Sequence, residues 1–162
     1  LIMTIKMLVM DVDGTLTDGK IHVGPDGEIF KSFDVKDGYG IKNISENYGI
    51  ITVIITGRKS KIVEIRSKEL GIEEVHQAIS DKKGKLGELS LKYGFKSDEI
   101  AYIGDDVNDL PAMSCARFTF APRDSHPEVK KRVNYVLESC GGCGAVRECT
   151  DIILNIIEGE NL

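Results

Sequence analysis

Two carboxylates stand one residue apart near the start of the chain, in the sequence DVDGT at residues 11–15. They follow the apolar run Met7–Met10, which is typical of a buried parallel strand, and Gly14 suits a tight turn where that strand ends. An aspartate in this place can attack phosphorus, as the aspartate nucleophiles of phosphoryl-transferring enzymes do. The second can protonate the leaving oxygen and then take a proton from water. We therefore predict Asp11 as a nucleophile and Asp13 as a general acid and base.

These two carboxylates need a counter-charge, because like charges this close raise one of the two pKa values strongly. A bound cation would supply it, and the sequence GDDVND at residues 104–109 offers further acidic ligands after the apolar run Ile100–Ile103. Hard divalent cations prefer oxygen ligands, and Mg²⁺ takes a few carboxylates together with water and substrate oxygens. Each acidic motif alone could be a solvated loop or a helix start, where aspartate is common. Their joint placement at two strand ends favours a magnesium site.

Two further elements suit a phosphate group. Thr56 and Gly57 follow the β-branched run Ile50–Ile55 with a hydroxyl and a predicted helix N-terminus, both of which bind phosphate oxygens. Lys82 opens another predicted helix, and its ammonium can neutralise charge on a transferring phosphoryl group. Lysines at helix starts are common on protein surfaces, so Lys82 supports the prediction only together with the acidic motifs.

The elements that position these residues alternate between strands and amphipathic helices. The predicted strands are Met7–Met10, Ile50–Ile55, a segment near Val75, Ile100–Ile103 and about Arg117–Ala121. The predicted helices are one that carries Ile62, Ile65, Arg66 and Leu70 at helical spacing, one at about Lys82–Tyr93 and one at Ala145–Ile157. The alternation is typical of an α/β fold, a Rossmann-like parallel sheet with helices on both faces. We expect residues 1–162 to form one domain.

One segment breaks the alternation after the first strand. Lys20–Val23 and Glu28–Phe33 flank the turn sequence GPDG at residues 24–27, which predicts a β-hairpin inserted at about residues 19–34. Ligands of open parallel sheets bind at the carboxyl ends of the strands. The predicted hairpin would lie above that edge.

The composition argues against several classes of partner. The chain has 21 Lys and Arg against 26 Asp and Glu, and this net charge of −5 disfavours nucleic-acid binding. No apolar run is long enough to span a bilayer and the N-terminus has no signal-peptide pattern, so we expect a cytoplasmic protein. Cys140 and Cys143 have the spacing of a redox pair or half a zinc site, but no second pair completes the site. We expect reduced cysteines; a metal or disulfide shared between subunits stays open.

The order DxDGT, Thr-Gly, Lys and GDDxxD resembles the haloacid dehalogenase superfamily over nearly the whole chain. The resemblance implies that Asp11 is the nucleophile, that Asp13 is the acid and base and gives a backbone carbonyl to Mg²⁺, and that Asp105 gives it a carboxylate. Thr56 and Lys82 match phosphate-binding positions. The supporting acids are Asp106 and Asp109, of which Asp109 acts through water or through Lys82.

Three segments resemble, more narrowly, the capless phosphatases of 3-deoxy-D-manno-octulosonate 8-phosphate: TLTDG at residues 15–19, TGRK at 56–59 and GGCGAVRE at 141–148. This implies a sugar-acid phosphate as substrate. It also implies a homotetramer in which the hairpins meet at the centre and the glycine-rich segment approaches a neighbour's site. Arg58 can hold a carboxylate by two parallel hydrogen bonds, whereas relatives for nine-carbon sialic-acid-type phosphates tend to carry Glu there. Arg58 therefore favours the eight-carbon acid, with a surface arginine as the alternative.

Three other functions remain to be weighed. A phosphatase for nine-carbon acids would share the motif set. A non-catalytic oligomerisation domain of the same fold commonly lacks an acid or the lysine, and this chain keeps both. A phosphoacceptor signalling domain also uses acids, Thr and Lys, but places its acceptor Asp on a middle strand, which here ends in Thr56-Gly57.

Overall fold

Strands and helices alternate through the computed structural model, which describes residues 4–72 and 74–159. The strands are β1 (Met7–Met10), β2 (His22–Gly24), β3 (Gly27–Phe30), β4 (Ile51–Ile55), β5 (Glu74–His76), β6 (Ile100–Ile103), β7 (Phe118–Ala121) and β8 (Tyr135–Val136). The helices are α1 (Val35–Tyr48), α2 (Lys61–Leu70), α3 (Lys82–Tyr93), α4 (Leu110–Met113), α5 (Pro127–Lys130) and α6 (Ala145–Glu158), with 3₁₀ turns at Ser97–Glu99 and Val107–Asp109.

The main sheet has six parallel strands in the order β5-β4-β1-β6-β7-β8. This confirms the predicted parallel α/β sheet. β1, β6 and α3 have the predicted bounds, and β4, β7 and α6 differ from them by one residue at one end. The sequence interpretation did not name α1, β8 or the short helices α4 and α5, which are too short or too mixed in composition to give a clear periodic signal.

Helices cover both faces of the sheet. Because successive side chains of a strand point to opposite sides, each strand contributes side chains to the core on both faces. Leu8 and Met10 of β1 lie in a core cluster with side chains of α1, α2 and α6. Met7 and Val9 lie in a second cluster with side chains of α3, α4 and α5. Burying an apolar side chain of this size contributes about 1.5–3 kcal/mol. Burial on both faces explains why the run Met7–Met10 contains no polar residue.

The predicted hairpin is present as β2 and β3, which pair antiparallel around the turn at residues 25–26. Its strands are shorter than predicted, and residues 31–34 leave the hairpin and lead into α1, which Asp34 caps. In the described part of the chain, no other element lies between β1 and α1, and no cap domain is seen. The hairpin is therefore the only inserted structure that the described residues place near this edge of the sheet.

The helix after β4 begins later than predicted. Residues 56–57 lie in a loop, and α2 begins at Lys61, because Ser60 Oγ accepts a hydrogen bond from the amide of Ile62 at 3.2 Å. The prediction of a helix N-terminus directly at residues 56–57 is wrong. The apolar side of α2 is also displaced, since Ile65 is 55% exposed. The buried side chains of α2 are Val63, Ser67 and Leu70.

β1 occupies the middle of the sheet, with β4 on one side and β6 on the other. Strands β4 and β5 are added on one side of β1, and the later strands β6 to β8 are added on the other side. Ligands of such sheets bind in the crevice at the carboxyl ends of the strands where this switch occurs. The segments that follow β1, β4 and β6 carry the predicted site residues other than Lys82, which begins α3 after β5. None of the helices in the described ranges is long and apolar enough to cross a membrane.

Candidate active site

Three carboxylates meet at the carboxyl ends of β1 and β6. Asp11 follows β1, Asp105 follows β6 and Asp109 ends the adjoining 3₁₀ turn. One carboxylate oxygen of each residue lies within 4.8 Å of the others, so the three can hold a metal ion. Asp11 is 6% exposed and Asp109 is fully buried, which means that water screens the repulsion between them only weakly.

Gly14 lets the loop after β1 approach the loop after β6. Its φ is +92°, a conformation that side chains rarely adopt, and a Cβ here would overlap the carboxylate of Asp105. The neighbouring hydroxyl of Thr15 donates to Asp105 Oδ1 at 3.0 Å. The glycine in DVDGT therefore serves the contact between the two acidic loops as well as the turn.

Lys82 is the positive charge inside this cluster. Its side chain is 2% exposed, and Nζ lies 2.9 Å from Asp11 Oδ1 and 2.8 Å from Asp109 Oδ1. It is the first residue of α3, and Asp81 caps that helix by accepting from the amide of Gly84 at 2.9 Å. The cap fixes the start of α3 and with it the place from which Lys82 reaches the carboxylates.

Both oxygens of Asp109 are occupied by protein donors. Oδ1 accepts from Lys82 and from the Tyr102 hydroxyl, the latter at 2.9 Å. Oδ2 accepts from the amides of Asp105 and Asp106 at 3.1 and 3.3 Å. Its geometry suits a residue that holds Lys82 and the acidic loop in place better than a direct metal ligand. The contact between Asp109 and Lys82 is direct.

The charges of the cluster change its pKa values. Burial raises the pKa of Asp11 to about 6, and Asp109 adds to the rise while Lys82 opposes it. Burial, followed by the charges of Asp11 and Asp109, raises the pKa of Asp105 to about 8. Burial lowers the pKa of Lys82, but the two carboxylates outweigh it, so that the net change is upward. Lys82 therefore stays charged while the carboxylates compete for protons.

A divalent cation fits this charge distribution. When all three carboxylates of Asp11, Asp105 and Asp109 are ionised, Lys82 balances one charge and two remain. Oxygen ligands in small number are the ones that Mg²⁺ uses, with water and substrate completing its shell. The chemistry of the donor set is thus the one that the sequence predicts for a magnesium site.

The predicted phosphate-binding loop follows β4. Thr56 is 2% exposed, and its backbone is held from both sides, since its amide donates to His76 and its carbonyl accepts from Ile79. Gly57 and Arg58 are exposed. The Arg58 side chain is 53% exposed, with Nε 3.9 Å from Asp13 Oδ2.

Asp13 is not part of the carboxylate cluster, and it pairs with a lysine instead. Its Oδ1 accepts from Lys31 Nζ at 2.6 Å. Lys31 comes from the segment after β3, and its Nζ also lies 2.9 Å from Glu28 Oε1. The other carboxylate oxygen of Glu28 accepts from the hydroxyl of Ser60 at the start of α2. The hairpin therefore reaches the site through side chains of the same chain.

Asp106 and the glycine-rich segment lie at the edge of the site. Asp106 is exposed, and its carboxylate accepts from the amide of Val107 at 2.7 Å. Gly142 donates its amide to the carbonyl of Thr15 at 3.1 Å, so this segment packs on the DVDGT loop of its own chain. The four cysteines are free thiols, and Cys140 and Cys143 flank the turn that makes this contact.

Sequence reasoning did not identify several residues that shape the site. They are Thr15, Glu28, Lys31, Ser60 and Tyr102. Only Thr15 belongs to one of the motifs. Lys31 reaches Asp13 from the segment that follows the separate two-stranded sheet, and no spacing along the chain indicates where that sheet docks.

The comparisons with known proteins agree with this geometry. Residues 58–146 match the haloacid dehalogenase-like hydrolase family. Over 150 residues, 93% of this chain and 79% of the relative, the sequence is 43% identical to the 3-deoxy-D-manno-octulosonate 8-phosphate phosphatase KdsC of Escherichia coli K12. The chain belongs to the haloacid dehalogenase-like hydrolases, which confirms the resemblance seen in the motifs.

Two solved structures indicate which group of these hydrolases the chain is similar to. The cobalt-bound deoxy-D-mannose-octulosonate 8-phosphate phosphatase of Haemophilus influenzae superposes with a TM-score of 0.93 at 38% identity, covering 98% of this chain and 92% of that one. The 3-deoxy-D-manno-octulosonate 8-phosphate phosphatase of Moraxella catarrhalis, in complex with magnesium, phosphate and KDO, has a TM-score of 0.91 at 40% identity, covering 96% and 89%. The chain is thus similar to this group of phosphatases over nearly all its length.

Proposed function

We propose that this chain is a magnesium-dependent phosphatase that releases phosphate from 3-deoxy-D-manno-octulosonate 8-phosphate through a phosphoaspartate on Asp11. The observation that carries the proposal is the buried contact of Asp11 with Lys82, beside the carboxylates of Asp105 and Asp109. The similarity to phosphatases of this substrate, at about 40% identity along the chain, supports the choice of substrate. We further propose that the chain acts as one domain.

In the first half of the reaction, a carboxylate oxygen of Asp11 attacks phosphorus. The bond from phosphorus to the sugar oxygen breaks, its electron pair stays on that oxygen, and the carboxyl group of Asp13 gives it a proton. The free sugar acid leaves. Lys82, with Thr56 and the amide of Gly57, neutralises and orients the phosphoryl oxygens while their charge is redistributed.

In the second half, Asp13 is a carboxylate and acts as the base. A water molecule gives it a proton while the water oxygen attacks phosphorus. The bond from phosphorus to Asp11 breaks, which regenerates the Asp11 carboxylate and yields inorganic phosphate. Asp13 ends the cycle protonated, so protons and electrons balance over the two steps.

Asp11, Asp105 and the backbone carbonyl of Asp13 would hold the magnesium ion. When bound, Mg²⁺ supplies positive charge that draws the substrate phosphate toward Asp11. Asp109 would support the site by fixing Lys82 and the loop amides of Asp105 and Asp106. Asp106 supports it in turn by capping the 3₁₀ turn that carries Asp109.

Arg58 is the proposed contact for the carboxylate of the sugar acid. Its exposed side chain lies beside Asp13, at the place where the leaving group must sit if Asp13 is to protonate it. A guanidinium binds a carboxylate with two parallel hydrogen bonds. A panel of eight-carbon and nine-carbon keto-acid phosphates, measured with wild type and Arg58→Ala, tests this assignment. An unchanged preference in the variant would make Arg58 a surface residue.

The reaction itself is tested by phosphate release with magnesium. We expect hydrolysis of 3-deoxy-D-manno-octulosonate 8-phosphate by wild type, with Asp11→Asn and Asp13→Asn reduced by a factor of about 100 or more. Asp98→Asn, at the opposite end of β6, is the matched control and should keep full activity. Undiminished turnover by a folded Asp11→Asn protein would contradict the nucleophile. Absence of hydrolysis across a broad panel would favour the non-catalytic oligomerisation domain.

The assembly and location are also proposals. The hairpin exposes apolar side chains, with Val23 at 66% and Ile29 at 61%, and an isolated two-stranded hairpin is only marginally stable in water. Both facts support a homotetramer in which hairpins cover one another. We propose a cytoplasmic enzyme whose partner is the phosphorylated sugar acid, with neither nucleic acid nor membrane as a ligand.

A further inference from the structure

The lysine that follows the hairpin is buried against the proposed acid and base. The Lys31 side chain is 2% exposed, although lysine side chains normally reach solvent. Its Nζ lies 2.6 Å from Asp13 Oδ1. A buried ammonium requires a partner of opposite charge. The carboxylate of Asp13 is such a partner for Lys31.

A second contact holds Lys31 in this position. Glu28 Oε1 lies 2.9 Å from Nζ, and the other oxygen of Glu28 accepts from Ser60. Ser60 caps α2, the helix that follows the loop of Thr56 to Lys59. The chain of contacts from Ser60 through Glu28 and Lys31 to Asp13 therefore joins the hairpin to the loops on both sides of the site.

Asp13 has few other means of keeping its orientation. In the described residues its only other cationic neighbour within 4.0 Å is Arg58, whose Nε is 3.9 Å from Oδ2, beyond hydrogen-bond distance. The Arg58 side chain is also half exposed. Proton transfer to a leaving oxygen requires a carboxyl group held within hydrogen-bond reach of it.

We propose that Lys31 is a positioning residue, which holds the Asp13 carboxyl group in the orientation that protonates the leaving oxygen. The inference rests on the proposed function, since it takes Asp13 as the general acid. Lys31 acts through Asp13, with which its ammonium is paired. The hairpin thereby contributes to the chemistry in each subunit as well as to the surface on which subunits meet.

Aryl phosphates carry no carboxylate. Their hydrolysis therefore reports the positioning of Asp13 without any contribution from the binding of a substrate carboxylate. Nitrophenolate leaves phosphorus without help from an acid, whereas phenolate is more basic and needs a proton as it leaves. The value of kcat/KM reports the steps up to the formation of the phosphoaspartate. The ratio of kcat/KM for phenyl phosphate to that for p-nitrophenyl phosphate therefore measures the action of the general acid.

The experiment compares Lys31→Met, Lys31→Arg and the control Lys36→Met, whose exposed lysine lies 3.7 Å from Asp34 in the next segment. In Lys31→Met we expect the phenyl to p-nitrophenyl ratio to fall by about tenfold to a hundredfold, part of what a general acid contributes. Lys31→Arg should recover most of the ratio, and Lys36→Met should leave it unchanged. In an Asp13→Asn background, Lys31→Met should cause no further fall, because the two residues act as a unit.

An equal loss for both aryl phosphates would make Lys31 a structural residue and overturn the proposal. If Lys31→Met does not fold, Glu28→Gln is the second variant to measure. It removes the negative charge that lies 2.9 Å from the Lys31 ammonium, and it should lower the phenyl to p-nitrophenyl ratio by a smaller factor. An unchanged ratio in a folded Glu28→Gln protein then counts against the proposal. A wild type that releases no phosphate from 3-deoxy-D-manno-octulosonate 8-phosphate with magnesium would instead overturn the proposed function.

Discussion

Lys82 is one cation between two buried carboxylates, and its removal tests how the cluster is held together. Lys82→Met would leave Asp11 and Asp109 without the ammonium that lies 2.9 and 2.8 Å from them. Breaking a buried ion pair from one side costs about 3–5 kcal/mol. We expect a loss of this size in the free energy of unfolding, measured by urea denaturation without magnesium, together with loss of phosphatase activity.

The neighbouring Lys83 provides the control, because it stands in the same turn of α3 but is exposed. Lys83→Met should change the free energy of unfolding by less than about 0.5 kcal/mol. Combining Lys82→Met with Asp109→Asn should restore part of the stability, since one of the uncompensated charges is removed. Equal effects of the two lysine substitutions would show that Lys82 is not held as a buried ion pair.

Magnesium binding at this site should release protons near neutral pH. The pKa values of Asp11 and Asp105 are raised to about 6 and about 8, so that Asp105 carries a proton at pH 7 when no metal is bound. A carboxylate must be ionised to bind Mg²⁺. Affinity for magnesium should therefore rise from pH 6 to pH 8, and calorimetry in buffers of different ionisation enthalpy should detect the released proton at pH 7.

Asp105→Asn is the matched variant for this experiment. It removes the group with the higher pKa, and the proton release at pH 7 should then fall to a small value while magnesium affinity decreases. Magnesium binding that is independent of pH between 6 and 8 would contradict the pKa values of Asp11 and Asp105 that burial and the neighbouring charges raise.

At the scale of elements, Glu74 joins the edge strand β5 to α3. Its carboxylate accepts from Lys92 and Tyr93 of α3 and from His76 at 2.8 Å. Burial acts to raise the pKa of Glu74, but these hydrogen bonds outweigh it and lower the pKa to about 2, from a usual value of 4.5. Because the folded state binds the proton more weakly, Glu74 stabilises the fold above pH 4.5, and this contribution is lost as the pH falls toward 2.

Glu74→Gln should accordingly lower the free energy of unfolding by about 1–3 kcal/mol at pH 7 and by clearly less at pH 3. Denaturant titrations at the two pH values check this. Glu88→Gln is the control: its carboxylate is also paired with a lysine of α3, Lys85, but its side chain is 69% exposed, and exposed pairs contribute little. A difference between wild type and Glu74→Gln that does not change with pH would contradict the lowered pKa.

The elements also show how far the sequence could predict the site. The apolar runs before Asp11 and Asp105 are long enough and pure enough to reveal β1 and β6, and parallel strands bring their carboxyl ends together. The start of α2 could not be read in the same way. It depends on whether Ser60 or an earlier residue caps the helix, and Ser60 is selected by tertiary contacts with Gln77 and Glu28. The contact of Lys31 with Asp13 depends on the docking of the hairpin, which local patterns do not encode.

At the scale of the whole molecule, exposed apolar side chains come from the hairpin and from the start of α1, and we take them together as the proposed assembly surface. It consists of Val23, Ile29 and Phe30 of the hairpin together with Val35 and Tyr39 of α1, all of them exposed. Neighbouring exposed apolar residues mark interaction sites, whereas single ones are ordinary on protein surfaces. The proposed homotetramer would cover this surface, and the same hairpin carries Glu28 and leads to Lys31.

Ile29→Asp should therefore disturb assembly and catalysis together. A charge buried between hairpins is strongly unfavourable, so we expect sedimentation velocity to show a shift from tetramer to smaller species. We also expect a fall in phosphatase activity, because hairpins that lose their partners hold Lys31 and Asp13 less firmly. Leu91→Asp is the control, since Leu91 is 86% exposed on α3 and lies outside this surface; it should change neither property. A tetramer that persists in Ile29→Asp would exclude the hairpin as the assembly surface, and loss of assembly with full activity would show that the hairpin holds Asp13 without help from a neighbouring subunit.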